Sequence, residues 1–247
     1  MQEKIKIENG ITCNAHPVSL RGWLGCAQKP YYEDESVVLY HADNRDVLPL
    51  IKCAAWDLIH TDPPYGIDLD TNYANKGSGG LCYAAVQGDG FGDLDLKWLT
   101  EFDCTTVLWG AHSYYWFLPI MKNPGWICWD KRVIENADKM RGAPFELAWI
   151  NKPKYFEMIR LQHGGVVNAD GWGETRLHPT QKPIKLAERI ILKHTKEGGI
   201  VGDFFAGSGS TLIAAKRLRR LAIGIEIEER YCEITAKRLS QNEMVFT

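Results

Sequence analysis

The sequence predicts an α/β domain built on a doubly wound, mostly parallel sheet. Three observations carry that prediction. Short apolar runs alternate with helical patterns from residue 36 onward. In the last third the order is unbroken: helix, strand, glycine turn, helix, strand, helix. The 247 residues are 45% hydrophobic and 24% charged, enough to bury one large core without staples. Strands alternating with helices at this spacing imply parallel βα units, whose ligands sit at the carboxyl ends of the strands.

Taken in order, residues 1–35 mix Gly, Pro and aromatics without periodicity and read as an irregular N-terminal arm. Residues 36–247 are expected to form a single domain. Ser36–Tyr40 reads as a strand, and residues 43–51 as a helix capped by Asp43 or Asn44. Trp56–Thr61, Thr105–Trp109, Trp126–Trp129 and Phe145–Ile150 read as strands. Pro183 opens a helix to His194, with Leu186, Ile190 and Ile191 at helical spacing. Strand 199–203, helix 210–219, strand 221–226 and helix 228–240 follow. Two stretches stand apart. Residues 66–95 hold seven glycines and are too long for an ordinary connection, so a mobile loop over a site is expected. Residues 151–180 read as an irregular insertion containing Gly164-Gly165 and Gly171-Trp172-Gly173.

Composition excludes several classes. No apolar run reaches the roughly 18 residues of a membrane span. Met1–Lys6 lacks the apolar stretch of a secretion signal, and a cytoplasmic protein is expected. Seven cysteines, odd in number and without a Cys-x-x-Cys pair, argue against a disulfide framework and a zinc ribbon. Cys13, His16 and Cys26 lack a nearby fourth ligand, so no metal is expected. The net charge of −2 is unevenly spread. Residues 1–125 hold 9 basic and 16 acidic side chains, a net of −7. Residues 126–247 hold 20 and 15, a net of +5, a pointer to a polyanion-binding face.

Two motifs carry chemistry. The first is Asp203-Phe-Phe-Ala-Gly207-Ser208-Gly209-Ser-Thr211, between a strand and a helix. Glycines let the backbone turn tightly and approach a ligand. The lysine of a phosphate-cradling loop is missing, since Ser210 follows Gly209. The third glycine of a dinucleotide fingerprint is replaced by Leu212. Glu226, 19 residues after Gly207, ends the next strand, where an acid accepts both ribose hydroxyls. A glycine turn and a ribose acid without phosphate machinery fit S-adenosylmethionine better than ATP or NAD.

The second is Asp62-Pro63-Pro64-Tyr65, closing strand 56–61. Successive prolines stiffen the turn and remove two backbone donors. A carboxylate, a rigid carbonyl and an aromatic ring then project from the sheet edge. The amine of a nucleobase is a poor nucleophile because its lone pair is delocalised into the ring. Asp62 and the Pro63 carbonyl can each accept one amine hydrogen and free that lone pair, while Tyr65 stacks on a base drawn out of the duplex.

Together these motifs make the chain resemble an S-adenosylmethionine-dependent DNA amino-methyltransferase of the β class, in which the catalytic loop precedes the cofactor loop. Tyr65 precedes Phe205 by 140 residues. His41-Ala-Asp43, Phe145–Trp149, His178-Pro-Thr-Gln-Lys-Pro183, and Gly224–Glu226 with Tyr231 and Arg238 also resemble family segments. The resemblance spans about residues 36–240 and implies a Rossmann-like methyltransferase fold. It implies that Asp62, Pro63, Pro64 and Tyr65 orient the target base. It implies that Asp203, Phe205, Gly207, Ser208, Gly209 and Glu226 hold the cofactor, with Asp43 near its adenine and Thr180 and Lys182 near its methionine end. The expected substrate is double-stranded DNA, with target recognition in residues 151–180 through Lys152, Lys154, Arg160 and Trp172. Asp at the first motif position favours adenine N6 over the alternative, cytosine N4. The motif order speaks against RNA or protein-amide methylation, and two intact motifs speak against a non-catalytic DNA-binding protein. Many relatives dimerise, which leaves a homodimer open. A cognate restriction enzyme is not legible in these residues.

Overall fold

The computed structural model describes residues 4–6, 12–14, 29–51, 55–66, 87, 89–90, 96–114, 123–132, 143–162 and 177–241. β1 (Lys4–Lys6) and β2 (Thr12–Asn14) form a separate antiparallel pair. The main strands are β3 (Tyr32–Glu33), β4 (Val37–His41), β5 (Leu58–Thr61), β6 (Thr105–Trp109), β7 (Gly125–Asp130), β8 (Phe145–Ile150), β9 (Phe156–Arg160), β10 (Ile200–Asp203) and β11 (Leu221–Glu226). They join in one sheet in the order β3-β4-β11-β10-β5-β6-β8-β7-β9. Helices are α1 (Asn44–Ile51), α2 (Ile184–His194), α3 (Ser210–Arg217) and α4 (Glu229–Gln241).

The five central strands β4, β11, β10, β5 and β6 run parallel. They are buried along nearly their whole length, as strands covered on both faces must be. Alternation divides the core. Val37, Leu39, Leu58, Val107 and Trp109 face α2, α3 and α4. Val38, Tyr40, Ile59 and Leu108 face α1 and the turn carrying Leu96, Leu99 and Phe102. The chain places β10 and β11 between β4 and β5, so strand order reverses beside β5, and loops from several strands open onto one edge.

β8 runs antiparallel to β6 and to β7, while β7 and β9 run parallel to each other. β9 lies inside the stretch that the sequence reading leaves irregular. Its alternation is disguised. Phe156 is 72% exposed and Met158 53%, whereas Glu157 points inward, bonded to Lys193 at 2.8 Å and to the Tyr155 hydroxyl. The helix expected over 210–219 ends at Arg217, because Arg219 adopts φ +57 and turns the chain into β11. Among the described residues no helix is long and apolar enough to cross a membrane.

Candidate active site

The carboxyl ends of the parallel strands and residues 178–182, which lead into α2, enclose a cavity of about 500 Å³. β4 delivers Asp43, β5 Asp62–Tyr65, β6 Trp109, β10 Asp203–Ser208 and β11 Glu226. The two motifs, 140 residues apart, are joined directly. The Thr61 hydroxyl donates to Asp203 Oδ1 at 2.7 Å.

The glycine loop is built around Glu226. Its Oε2 accepts the Gly207 amide at 2.7 Å and its Oε1 the Glu228 amide at 2.8 Å. Gly209 has φ +78, and a Cβ there would lie 2.5 Å from Thr235 Cγ2. Glycine is therefore required for α4 to pack against the turn. The Thr235 hydroxyl bonds the Gly207 carbonyl at 3.0 Å. Burial pushes the Glu226 carboxyl up to about 7, against the two amides that favour its charge. Burial likewise pushes Asp203 up to about 6, with the Thr61 and Thr211 hydroxyls opposing. Ser210 Oγ lines the cavity, buried and without a hydrogen-bond partner among the described residues. Phe205 stacks with Trp98 at 6.3 Å. An unsatisfied hydroxyl, an acid and an aromatic wall in one cleft fit an adenosine bearing a polar tail.

Asp62 lies at the other end of the cleft. Its Oδ1 accepts the Tyr65 hydroxyl at 2.8 Å, and its Oδ2 accepts Lys182 Nζ. Lys182 also bonds the Tyr65 oxygen at 3.1 Å and stands 3.3 Å from Glu146 Oε2, while Lys131 holds Glu146 Oε1. Burial disfavours the Lys182 charge, but Asp62 and Glu146 outweigh it and hold its pKa above the usual lysine range. Glu146 sits at about 2: burial raises it, and Lys182 and Lys131 overcome that. Burial pushes the Asp62 carboxyl up against the pull of Lys182. Beneath this group His60 accepts from Trp Nε1 of residue 109 at 2.9 Å through its Nε2, so its Nδ1 carries the proton toward Thr211 Oγ1 at 3.1 Å. Burial drives His60 down to about 3, which keeps it neutral.

Tyr65 rests on Gly110, which has φ +73. A Cβ at Gly110 would lie 1.9 Å from the Tyr65 ring, so the glycine is a seat for that ring. His112 and Tyr114 flank it, with ring centroids 6.2 and 6.4 Å away.

The other expected residues divide. Lys182, expected beside the cofactor's methionine end, is clamped on Asp62, and its side chain is only 11% exposed. Asp43 reaches the cavity, but Arg45 occupies its carboxylate through both its backbone and side chain. Thr180 also lines the cavity, bonded to His178. Gly66 at the start of the expected loop bonds Asp89 at 2.8 Å, and Gln87 and Asp89 line the cavity; most of the loop lies outside the described residues. Trp172 also lies outside them. Lys152 and Lys154 do not join the site. β8 runs antiparallel, so its end at Ile150 delivers them to the opposite sheet edge, beside the start of β6. There Lys152 Nζ meets His194 at 3.1 Å. Arg160, at the end of β9, returns to the site's edge and pairs with Asp130 at 3.7 Å.

Sequence reasoning missed Glu146, Lys131, His60 and Gly110. The signal for Glu146 was a single acid inside the apolar run Phe145–Ile150.

A family model described as DNA methylase, N6_N4_Mtase, matches residues 128–237. The type II methyltransferase M2.LlaDCHI of Lactococcus lactis subsp. cremoris is 30% identical over 86% of this chain and 93% of its own length. The chain belongs to the type II DNA methyltransferases. As such it is an S-adenosylmethionine-dependent DNA methyltransferase. M.HpaI of Haemophilus parainfluenzae is 50% identical, covering 74% of this methyltransferase and 68% of its own chain. The solved complex of M1.HpyAVI with S-adenosylmethionine superposes with a TM-score of 0.51 at 25% identity, over 82% of this chain and all of the other.

Proposed function

We propose that this methyltransferase modifies the exocyclic N6 of an adenine extruded from double-stranded DNA. The carrying observation is the junction of the Asp62 loop with the Asp203 loop through Thr61, which sets an amine acceptor beside a nucleoside cleft. Phe205, Gly207, Ser208, Ser210 and Glu226 are the residues that would hold S-adenosylmethionine. Bound there, the cofactor supplies a methyl group already activated on a sulfonium.

The protein's contribution is positioning and charge. Asp62 and the Pro63 carbonyl accept the two amine hydrogens, which turns the nitrogen lone pair toward the methyl group. Pro63 and Pro64 keep that carbonyl stiff, and Tyr65 fixes the ring plane. The N–C bond would form as the S–C bond breaks, leaving S-adenosylhomocysteine, and the methylated nitrogen would then lose one of its two hydrogens as a proton to solvent; no covalent enzyme intermediate is needed. Asp62 rather than Ser at the head of the motif supports adenine over cytosine.

The test is digestion of DNA from cells expressing the chain, with the modified nucleosides separated by mass. N6-methyladenine is expected; N4-methylcytosine alone would overturn the base assignment and keep the chemistry.

Gly110→Ala tests the ring seat. The added methyl must push Tyr65 off its position, and displacement of a reacting partner by about 1 Å costs roughly a hundredfold in rate. Single-turnover transfer is expected to fall by about that factor while cofactor affinity holds. An unchanged rate would show that the position of Tyr65 is immaterial.

A further inference from the structure

The arrangement around Asp62 presents a difficulty for the reaction. Each carboxylate oxygen already accepts one donor, the Tyr65 hydroxyl on one and the Lys182 ammonium on the other. An incoming amine must share those oxygens, and it competes there with a full positive charge. Of the two donors, Lys182 has a second anionic acceptor in reach among the described residues. That acceptor is Glu146 Oε2, buried, without a directed hydrogen bond among the described residues, and 3.3 Å from the ammonium.

We infer that Glu146 is a positioning residue, the acceptor that draws Lys182 off Asp62 as the target amine arrives. The inference rests on the reading that Asp62 binds that amine. Three features support it. The four side chains alternate in sign, Lys131, Glu146, Lys182, Asp62, and sum to zero, so a small shift of the ammonium creates no unpaired charge. Their exposures run only from 11 to 20%, so a carboxylate serves the ammonium better than bulk water would. The half-made contact at Glu146 Oε2 is where the ammonium has room to move.

Charge at Glu146 is therefore what the reaction needs, and removing it should leave Lys182 locked on Asp62. In Glu146→Gln, single-turnover methyl transfer to duplex DNA carrying the cell's own methylated site, in unmodified form, is expected to fall roughly ten- to hundredfold. S-adenosylhomocysteine affinity should stay within about twofold, because Glu146 is not among the cavity's lining residues. A pH series separates this from damaged packing. The titratable groups facing Lys182 are Asp62 and Tyr65 from the catalytic loop, His60 from β5, and Glu146 from β8 with Lys131 behind it. His60 titrates near 3 and Tyr65 well above 10, so between pH 7.5 and 10 the ammonium is the group of interest. In Glu146→Gln it loses one of its two counter-ions and deprotonates more readily, which releases Asp62. The deficit relative to the unmodified enzyme should shrink as pH rises, and Glu146→Asp should recover part of the rate.

A pH-independent deficit with no rescue by Asp, or an unchanged rate in Glu146→Gln, would each overturn the inference. Asp62→Ala run alongside distinguishes the two levels. If it stays active, the assignment of Asp62 fails. If it is inactive while Glu146→Gln behaves as the unmodified enzyme, only the role of Glu146 fails.

Discussion

Asp62→Ala is expected to lower methyl transfer by about a thousandfold, the scale for losing a preorganised group at the reacting atom. The amine would lose the acceptor that frees its lone pair, and only the Pro63 carbonyl would remain. The fold should survive. Lys182 keeps Glu146 at 3.3 Å, and the Asp62 side chain, about a fifth exposed, leaves a gap that water can enter. Cofactor affinity should change little, because Glu226 ends β11, two strands away from β5, which carries Asp62. Asp62→Asn should be the milder change in shape yet still inactive. It keeps one carbonyl oxygen but offers no charge to Lys182, so the ammonium would turn wholly to Glu146. Transfer of labelled methyl to DNA, read beside calorimetry with S-adenosylhomocysteine, checks both halves. Activity within tenfold of the unmodified enzyme would refute the role given to Asp62.

The parallel half of the sheet was legible because its strands are buried on both faces and read as unbroken apolar runs. Glycine at 207 and 209, the acid at 226 and the prolines at 63 and 64 are local constraints on the backbone, so they name the loops directly. The outer strands follow a different logic. β9 carries Phe156 and Met158 outward and Glu157 inward, which inverts the pattern that marks a half-buried strand. Lys152 and Lys154 lie away from the cavity for a topological reason. A basic stretch after a strand belongs to the site only if that strand ends at the site's edge, and antiparallel β8 ends at the other. Glu146, Lys131 and Lys182 come from three separate segments, and nothing in the spacing of residues 131, 146 and 182 announces that their charges meet. Gly110 is the same case in backbone form, since its need for glycine comes from a ring 45 residues earlier in the chain.

Cofactor binding is expected to strengthen as pH rises through about 7, and Glu226 is the cause. Burial raises its carboxyl to about 7 in the folded protein, above the usual 4.5. In the unliganded protein the stability associated with that proton is present below the ordinary value and is lost as pH rises through 7. Ribose hydroxyls are donors and need the charged form, which already holds the Gly207 and Glu228 amides in place. At pH 6 only about one molecule in ten carries that charge, and at pH 8 about nine in ten, so affinity for S-adenosylhomocysteine should rise about tenfold between them. Glu226→Gln removes the titration and one acceptor oxygen. At pH 8 it should weaken binding by roughly ten- to a hundredfold, the range for a hydrogen bond to a charged group. Its pH profile should lose most of the slope. Asp203, at about 6, titrates in the same window, but it serves Thr61 and Phe205 and is present in both proteins. The difference between the two curves therefore isolates Glu226, and parallel curves would mean that the ribose is held by another group.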